Sequence, residues 1–467
     1  MGRWARAVVF AVCGVVALAF PGIAVAGHTT DPRTDNLRPL GHIIEPAVLG
    51  GFGGADPDVH TDLAFWGRYA FQGNWDGFNI RDIRSARNPR QVSRTFCDGN
   101  QGDVVVWKDI LVRSWNTPAG TPGAFGAGLT CDGDAVAPGF EGLHVFDTSN
   151  PRNPELVAEV PLACGSHTAT AVPDRRNGRL LVYSSSSAHS ATNPNPPATC
   201  DWFDVVEVPL DDPGSAQFLR AEPSVHTCHD IGVILGRVKK AACAGGEGYR
   251  LFGLGGPSGG SLEDPMLLQE VMVAPPDVTG GHSAAFSWDG EVVIFGHEPG
   301  GGTAAECEAT DADVKKSFFF HDTDTGAELG RWTLPRPQGA TENCTLHNYN
   351  VVPLRSGRDV LVSGNYQAGT WVVDFTDPAN ARTVAWSDPP PKPVPPGTTF
   401  CCDVTGAWSS YWYDGLIYES NIGEGLNIFG LRARNVRGAI RLGRLNPQTQ
   451  EFSIGAKKDD RDEDDDD

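Results

Sequence analysis

Between residues 342 and 386 the chain carries four short runs rich in apolar and β-branched residues, separated by turn residues: NYNVV, DVLVSG, TWVVDF, which alternates polar and apolar side chains, and TVAW. Short runs of this kind bounded by turns predict β-strands, and Arg355-Ser356-Gly357 and Asp377-Pro378 supply the turns. A unit of four such strands has two apolar faces and cannot bury them alone, so it is expected to recur.

The third strand recurs in a countable register. The pattern of Gly369 to Asp374 returns as Gly77 to Asp82 (GFNIRD) and Gly142 to Asp147 (GLHVFD). Weaker copies span Trp202 to Glu207, Gly248 to Gly253, Ser317 to Asp322 and Gly425 to Gly430, which makes seven. Three copies run on into Asn88-Pro89, Asn150-Pro151 and Asp377-Pro378, where proline fixes φ and Asn or Asp bonds its own backbone. This periodicity predicts an all-β fold, a seven-bladed β-propeller of four-stranded antiparallel blades. NLRPLGHII at residues 36–44 resembles the outer strand of the other units and is expected to complete the seventh, 401 to 452, closing the ring.

The copies GLHVFDTSNPRNPELVAEV and GTWVVDFTDPANARTVAW resemble LVIVD repeats, the propeller repeat of many secreted and surface-attached bacterial proteins. The likeness covers nearly the whole chain after its N-terminal segment. It implies a fold and an exported location but no single activity, so function has to be argued from a site.

Residues 1–26 read as a secretory signal, with Arg3 and Arg6 before an apolar run and Ala24-Val25-Ala26 as the cleavage context. A leader, 27–35, precedes the propeller at 36–455, and an acidic tail at 456–467 follows. The formal charge is −21, two units more negative once Arg3 and Arg6 are removed, which excludes nucleic acid and anionic membrane surfaces as partners. No membrane span is expected after signal cleavage.

Of 11 cysteines, Cys13 falls in the signal and ten remain. In an exported chain the even number suggests disulfides, and blade geometry favours local pairs: Cys97 with Cys131, Cys164 with Cys200, Cys228 with Cys243, Cys307 with Cys344. Cys401 and Cys402 are left as a redox-active pair or as partners elsewhere, unless all ten are fold staples. The Gly- and Pro-rich stretches Thr117 to Pro138, Ser187 to Pro197, Pro257 to Glu263 and Gly296 to Thr310 are expected as rim loops.

Candidate chemistry rests on histidines. His60, His167, His229, His282 and His347 each stand six residues before the end of an innermost strand, with Gln101 and about Ala407 at the matching places in the second and seventh units. Innermost strands line a propeller's channel, so these imidazoles are expected around one mouth. As structural hinges they would bond the next blade's backbone; as ligands they would converge on copper or zinc, with Asp62 and Asp230 holding the outer nitrogens. A histidine-lined propeller is similar in architecture to the selenium-binding protein and methanethiol oxidase family, which implies copper at the centre and a small thiol-like substrate. No motif of that family matches residue by residue. Weaker signals are His297-Glu298 as a rim contribution, His226 beside His229, and Ser185, Ser186 and His189, around which no nucleophile elbow is seen. Two functions follow: a binding or scaffold module engaging a protein or glycan through rim loops, or a metal-dependent oxidoreductase acting at the pore.

Overall fold

The repeated glycine and aspartate of the third strand have separate physical causes. Gly77 and Gly142 lie at φ +149° and +147°, and a Cβ there would stand 1.8 Å from the Thr95 carbonyl oxygen and 2.1 Å from that of Val160. The outer strand's backbone passes too close for any side chain. The aspartate caps the turn out of the strand: Asp147 Oδ1 accepts from the Ser149 N–H at 2.7 Å, and Asp374 Oδ1 from Thr376 at 3.1 Å.

The computed structural model describes residues 30–44, 59–122, 126–186, 200–224, 228–274, 276–302, 304–391 and 406–455. The signal, the acidic tail, His189, His226, Cys401 and Cys402 lie outside them. The structure is a seven-bladed β-propeller. Blade 1 runs His60–Trp66, Tyr69–Asn74, Gly77–Asp82, Arg90–Phe96 from the axis outward, each strand antiparallel to its neighbour. The innermost strands of blades 2 to 6 are Val104–Trp107, Thr168–Asp174, Ile231–Ile234, Gly281–Phe286 and Tyr349–Val351.

Blade 7 joins the two ends of the ring. Its inner strands Ala407–Tyr413, Leu416–Asn421 and Gly425–Leu431 come from late in the chain, and its outer strand is Leu37–Ile44, paired antiparallel to Gly425–Leu431. The cores sit between blades, as where Leu63 and Phe65 of blade 1 meet Tyr411, Tyr418 and Leu426 of blade 7. Because neighbours cover both faces, the inner strands are buried along nearly their whole length, while outer strands such as Arg90–Phe96 are largely exposed. All four expected disulfides are present. Among the described residues no helix is long and apolar enough to cross a membrane.

One element departs from the repeat reading. Beyond Leu431 the chain does not continue the seventh blade but crosses the face of the ring opposite the histidines and touches every blade. Ile440 donates to the Pro353 carbonyl of blade 6, and the Gly443 carbonyl accepts from Tyr413 of blade 7 and Gly67 of blade 1. Arg444–Leu445 pairs with Phe65 and Trp66 of blade 1, and Asn446 bonds Val106 of blade 2. Thr449 reaches the Ala171 carbonyl of blade 3, Thr449–Gln450 pairs in parallel with Val233 and Ile234 of blade 4, and Gln450 bonds the Phe286 carbonyl of blade 5. This strap reaches into the pore, where Gln448 Nε2 donates to Asp62 Oδ2 at 3.0 Å.

Candidate metal centre in the pore

Bulges in the innermost strands decide which side chains face the axis. In blade 5 Gly281 pairs with His297 and Ser283 with Gly296, so His282 is the extra residue of a bulge; Trp408 is placed likewise between Ala407 and Ser409 in blade 7. An extra residue opposed by none is re-aimed out of the ladder. In blade 1 the bulge falls on Thr61 and Asp62, and His60 keeps its ladder pairing with Asn74. His60 therefore stands where Gly281 and Ala407 stand, not where His282 does. It is buried outside the axial cavity, and Thr61 takes the lining position. Equal spacing to the strand end does not give equal orientation when the bulge falls after the histidine in one blade and on it in another.

The other four histidines form an arc over four consecutive blades, with ring centroids 4.4 Å apart for His167 and His229, 3.9 Å for His229 and His282, and 4.3 Å for His282 and His347. They border a cavity of about 20 Å³, room for one water or one ion, that Gln101, Asp62, Asp103, Asp230, Asn348 and Trp408 also line. Asp103 was not visible in the repeat pattern, although it stands two residues after Gln101 as Asp62 does after His60.

The hydrogen bonds fix how each ring presents itself. His347 Nδ1 donates to the Trp408 carbonyl at 2.5 Å, which leaves Nε2 as a lone pair, 3.1 Å from the Tyr366 hydroxyl. His167 Nδ1 donates to Asn116 Oδ1 at 2.9 Å, so its Nε2 accepts from His229 Nε2–H, also at 2.9 Å. That leaves His229 Nδ1 facing Asp230 Oδ1 at 3.7 Å, too far for a hydrogen bond. His282 Nδ1 faces Asp230 Oδ2 at 3.8 Å. Among the described residues His229 Nδ1, His282 Nδ1 and Asp230 Oδ1 are buried with no hydrogen-bond partner.

Glu298 enters from the end of blade 5's second strand. Its Oε1 accepts from Tyr366 at 2.9 Å and lies 3.9 Å from His347 Nε2, and its Oε2 lies 3.9 Å from His282 Nε2. His297 turns the other way and bonds the Val314 carbonyl at 2.8 Å. Tyr366 holds a left-handed backbone at φ +46°, fixed by reciprocal 2.8 Å bonds to Ala407. A bulky residue in that region is uncommon, and here it carries the hydroxyl to the arc.

Burial lowers the proton affinity of His282 and His167 well below the usual range, helped by the neighbouring imidazoles, and takes His347 to about 4. At His229 burial acts in the same direction, but the Asp230 carboxylate, aided by Glu298, outweighs it and raises the pKa. Burial brings Asp62 up to about 6 against the Tyr411 bond, and raises Asp103 and Glu298. The arc thus holds three imidazoles that burial keeps neutral, His167, His282 and His347, and a fourth, His229, that its carboxylate neighbour draws toward protonation. His229–Asp230–His282 and His282–Glu298–His347 each bring three donor atoms within 4.8 Å of one another. A third such group, Cys97, Cys131 and His144, has its sulfurs joined in a disulfide and is closed to metal.

No protein-family model matches the chain, and no curated protein matches it. Among solved structures it is similar to the Dos1 propeller, with a TM-score of 0.45 and 8% identity over 80% of this chain and 79% of that one. It is also similar to the computationally designed Ika8 protein, with a TM-score of 0.40 and 13% identity over 84% of this chain and all of that one.

Proposed function

We propose that this chain is an exported β-propeller of the LVIVD type whose pore holds a transition-metal ion, copper or zinc, and acts as a metal-dependent oxidoreductase on a small reduced, thiol-like substrate. The observation that carries the reading is the set of three buried donors, His229 Nδ1, His282 Nδ1 and Asp230 Oδ1, facing one small cavity without hydrogen-bond partners. Buried polar atoms left unpaired cost about 1–3 kcal/mol each, and an ion answers all three. Imidazole and carboxylate are ordinary donors for zinc and copper.

The surrounding residues support the same assignment. His167 and Asn116 hold the far side of His229, as a ligating imidazole requires. Asp230 raises the proton affinity of His229, so protons and metal compete for that nitrogen. Bound copper would supply one-electron chemistry with dioxygen as oxidant, and zinc a Lewis acid. The strap crosses the far face and sends Gln448 to Asp62 in the pore, which favours the histidine face as the route in. His229, with 26% of its side chain exposed, is where the proposed donor set opens toward solvent.

A second reading has its own support. Antiparallel order places the connections after each second and fourth strand on the histidine face, and all four disulfides pin segments there, as Cys307 to Cys344 does. Pinned loops on one face suit a binding or scaffold module for a protein or glycan.

Elemental analysis with copper paramagnetic resonance, on protein secreted without a histidine tag, separates the two. Near-stoichiometric metal that is lost in a folded His229→Ala/His282→Ala double variant is expected, with thiol oxidation lost in parallel. No metal after soaking with copper or zinc would sink the oxidoreductase and leave the binding module.

A further inference from the structure

His282 belongs to both donor groups, and its two nitrogens face nearly identical surroundings. Nδ1 looks toward Asp230 at 3.8 Å, whose other oxygen lies 3.7 Å from His229 Nδ1. Nε2 looks toward Glu298 at 3.9 Å, whose other oxygen lies 3.9 Å from His347 Nε2. Imidazole and carboxylate therefore alternate along the arc: His229, Asp230, His282, Glu298, His347.

All four separations exceed a hydrogen bond, and all fall short of the roughly 4.6 Å that a bridging water needs. An ion about 2.0–2.2 Å from each donor sets two donors roughly 3.3–4.2 Å apart. The spacing of every link is that of two ligands of one ion. The two groups also lie in different places. Asp230, His229 and His282 line the axial cavity, whereas Glu298 does not border it and meets Tyr366 instead.

We propose that the pore holds two divalent transition-metal ions joined through His282. The inner ion lies on His229, Asp230 and His282; the outer lies on His282, Glu298 and His347, beside the Tyr366 hydroxyl. This rests on the reading of the pore as a metal centre and fixes its nuclearity. Ligation through both nitrogens breaks the remaining ring N–H of His282, forms the second metal–nitrogen bond, and releases the proton to solvent. The two carboxylates and the imidazolate then carry −3 against +4 from the ions. His282 suits the bridge because its bulge aims it along the arc between its neighbours.

The test loads the full mature chain with copper(II), removes excess by gel filtration, and compares metal content with integrated paramagnetic resonance intensity. Wild type is expected to retain two equivalents with an integrated signal well under the copper content, because an imidazolate couples the spins. Glu298→Gln is expected to retain one equivalent at full intensity, and Asp230→Asn, checked for folding by circular dichroism, likewise one. A single equivalent at full intensity in wild type would overturn the pair while leaving a mononuclear centre. Two equivalents with fully additive signals would overturn the bridge, and no retained copper would overturn the metal centre itself.

Discussion

Asn446 treats Val106 as a strand would: its Oδ1 accepts from the Val106 N–H at 2.8 Å and its Nδ2 donates to the Val106 carbonyl at 2.9 Å. One side chain of the strap thus satisfies the backbone of blade 2's innermost strand at a buried position.

Replacing Asn446 with alanine leaves that N–H and carbonyl buried without partners. Each such group costs about 1–3 kcal/mol, so Asn446→Ala is expected to lower unfolding stability by about 2–4 kcal/mol. Urea denaturation measures this, and faster amide exchange at Val106 accompanies it. A change under about 0.5 kcal/mol would mean that the strap adds little to the ring.

His347 gives a pH dependence of definite sign. Its folded pKa, about 4, lies below the ordinary 6.5, so the folded protein binds fewer protons than the unfolded chain between those values. The metal-free protein therefore loses stability from this group as pH falls from 6.5 toward 4, by up to about 3 kcal/mol. Asn at this position keeps a donor for the Trp408 carbonyl and does not titrate. The stability difference between wild type and His347→Asn is expected to move against wild type from pH 7 to 4.5. A pH-independent difference would show that the imidazole is not held neutral by burial.

The Cys164–Cys200 disulfide closes 36 residues of sequence separation. Loop-closure entropy for that length amounts to about 4 kcal/mol in the chain-entropy account. A Cys164→Ser/Cys200→Ser variant is expected to unfold at a clearly lower temperature than wild type under non-reducing conditions. An equal melting temperature would mean that packing alone holds the loop.

Much of this molecule was legible because its information is local and repeated. Gly77, Gly142 and Gly369 mark the same strand start, and Asp82, Asp147 and Asp374 the same turn, so counting the pattern yields seven blades. Cysteine pairs within one loop or one blade follow from the same locality, as does the closing strand Leu37–Ile44 from its likeness to other outer strands. The candidate centre was legible only in part. His167, His229, His282 and His347 share a register and do share the arc, but Asp103, Glu298 and Tyr366 come from positions that no repeat marks.

The sequence alone determined the number of blades, their strands, the four disulfides and four of the five blades expected to bring histidines to the pore, since each depends on chain neighbours or on a period. Tertiary structure decided the rest. A bulge that falls after His60 rather than on it leaves His60 out of the axial cavity and puts Thr61 there. Glu298 and Tyr366 reach the arc from different blades only once the ring has closed, and the strap finds its seven partners only when all seven blades exist. Side-chain direction and long-range pairing depend on packing across the ring, which no local pattern encodes.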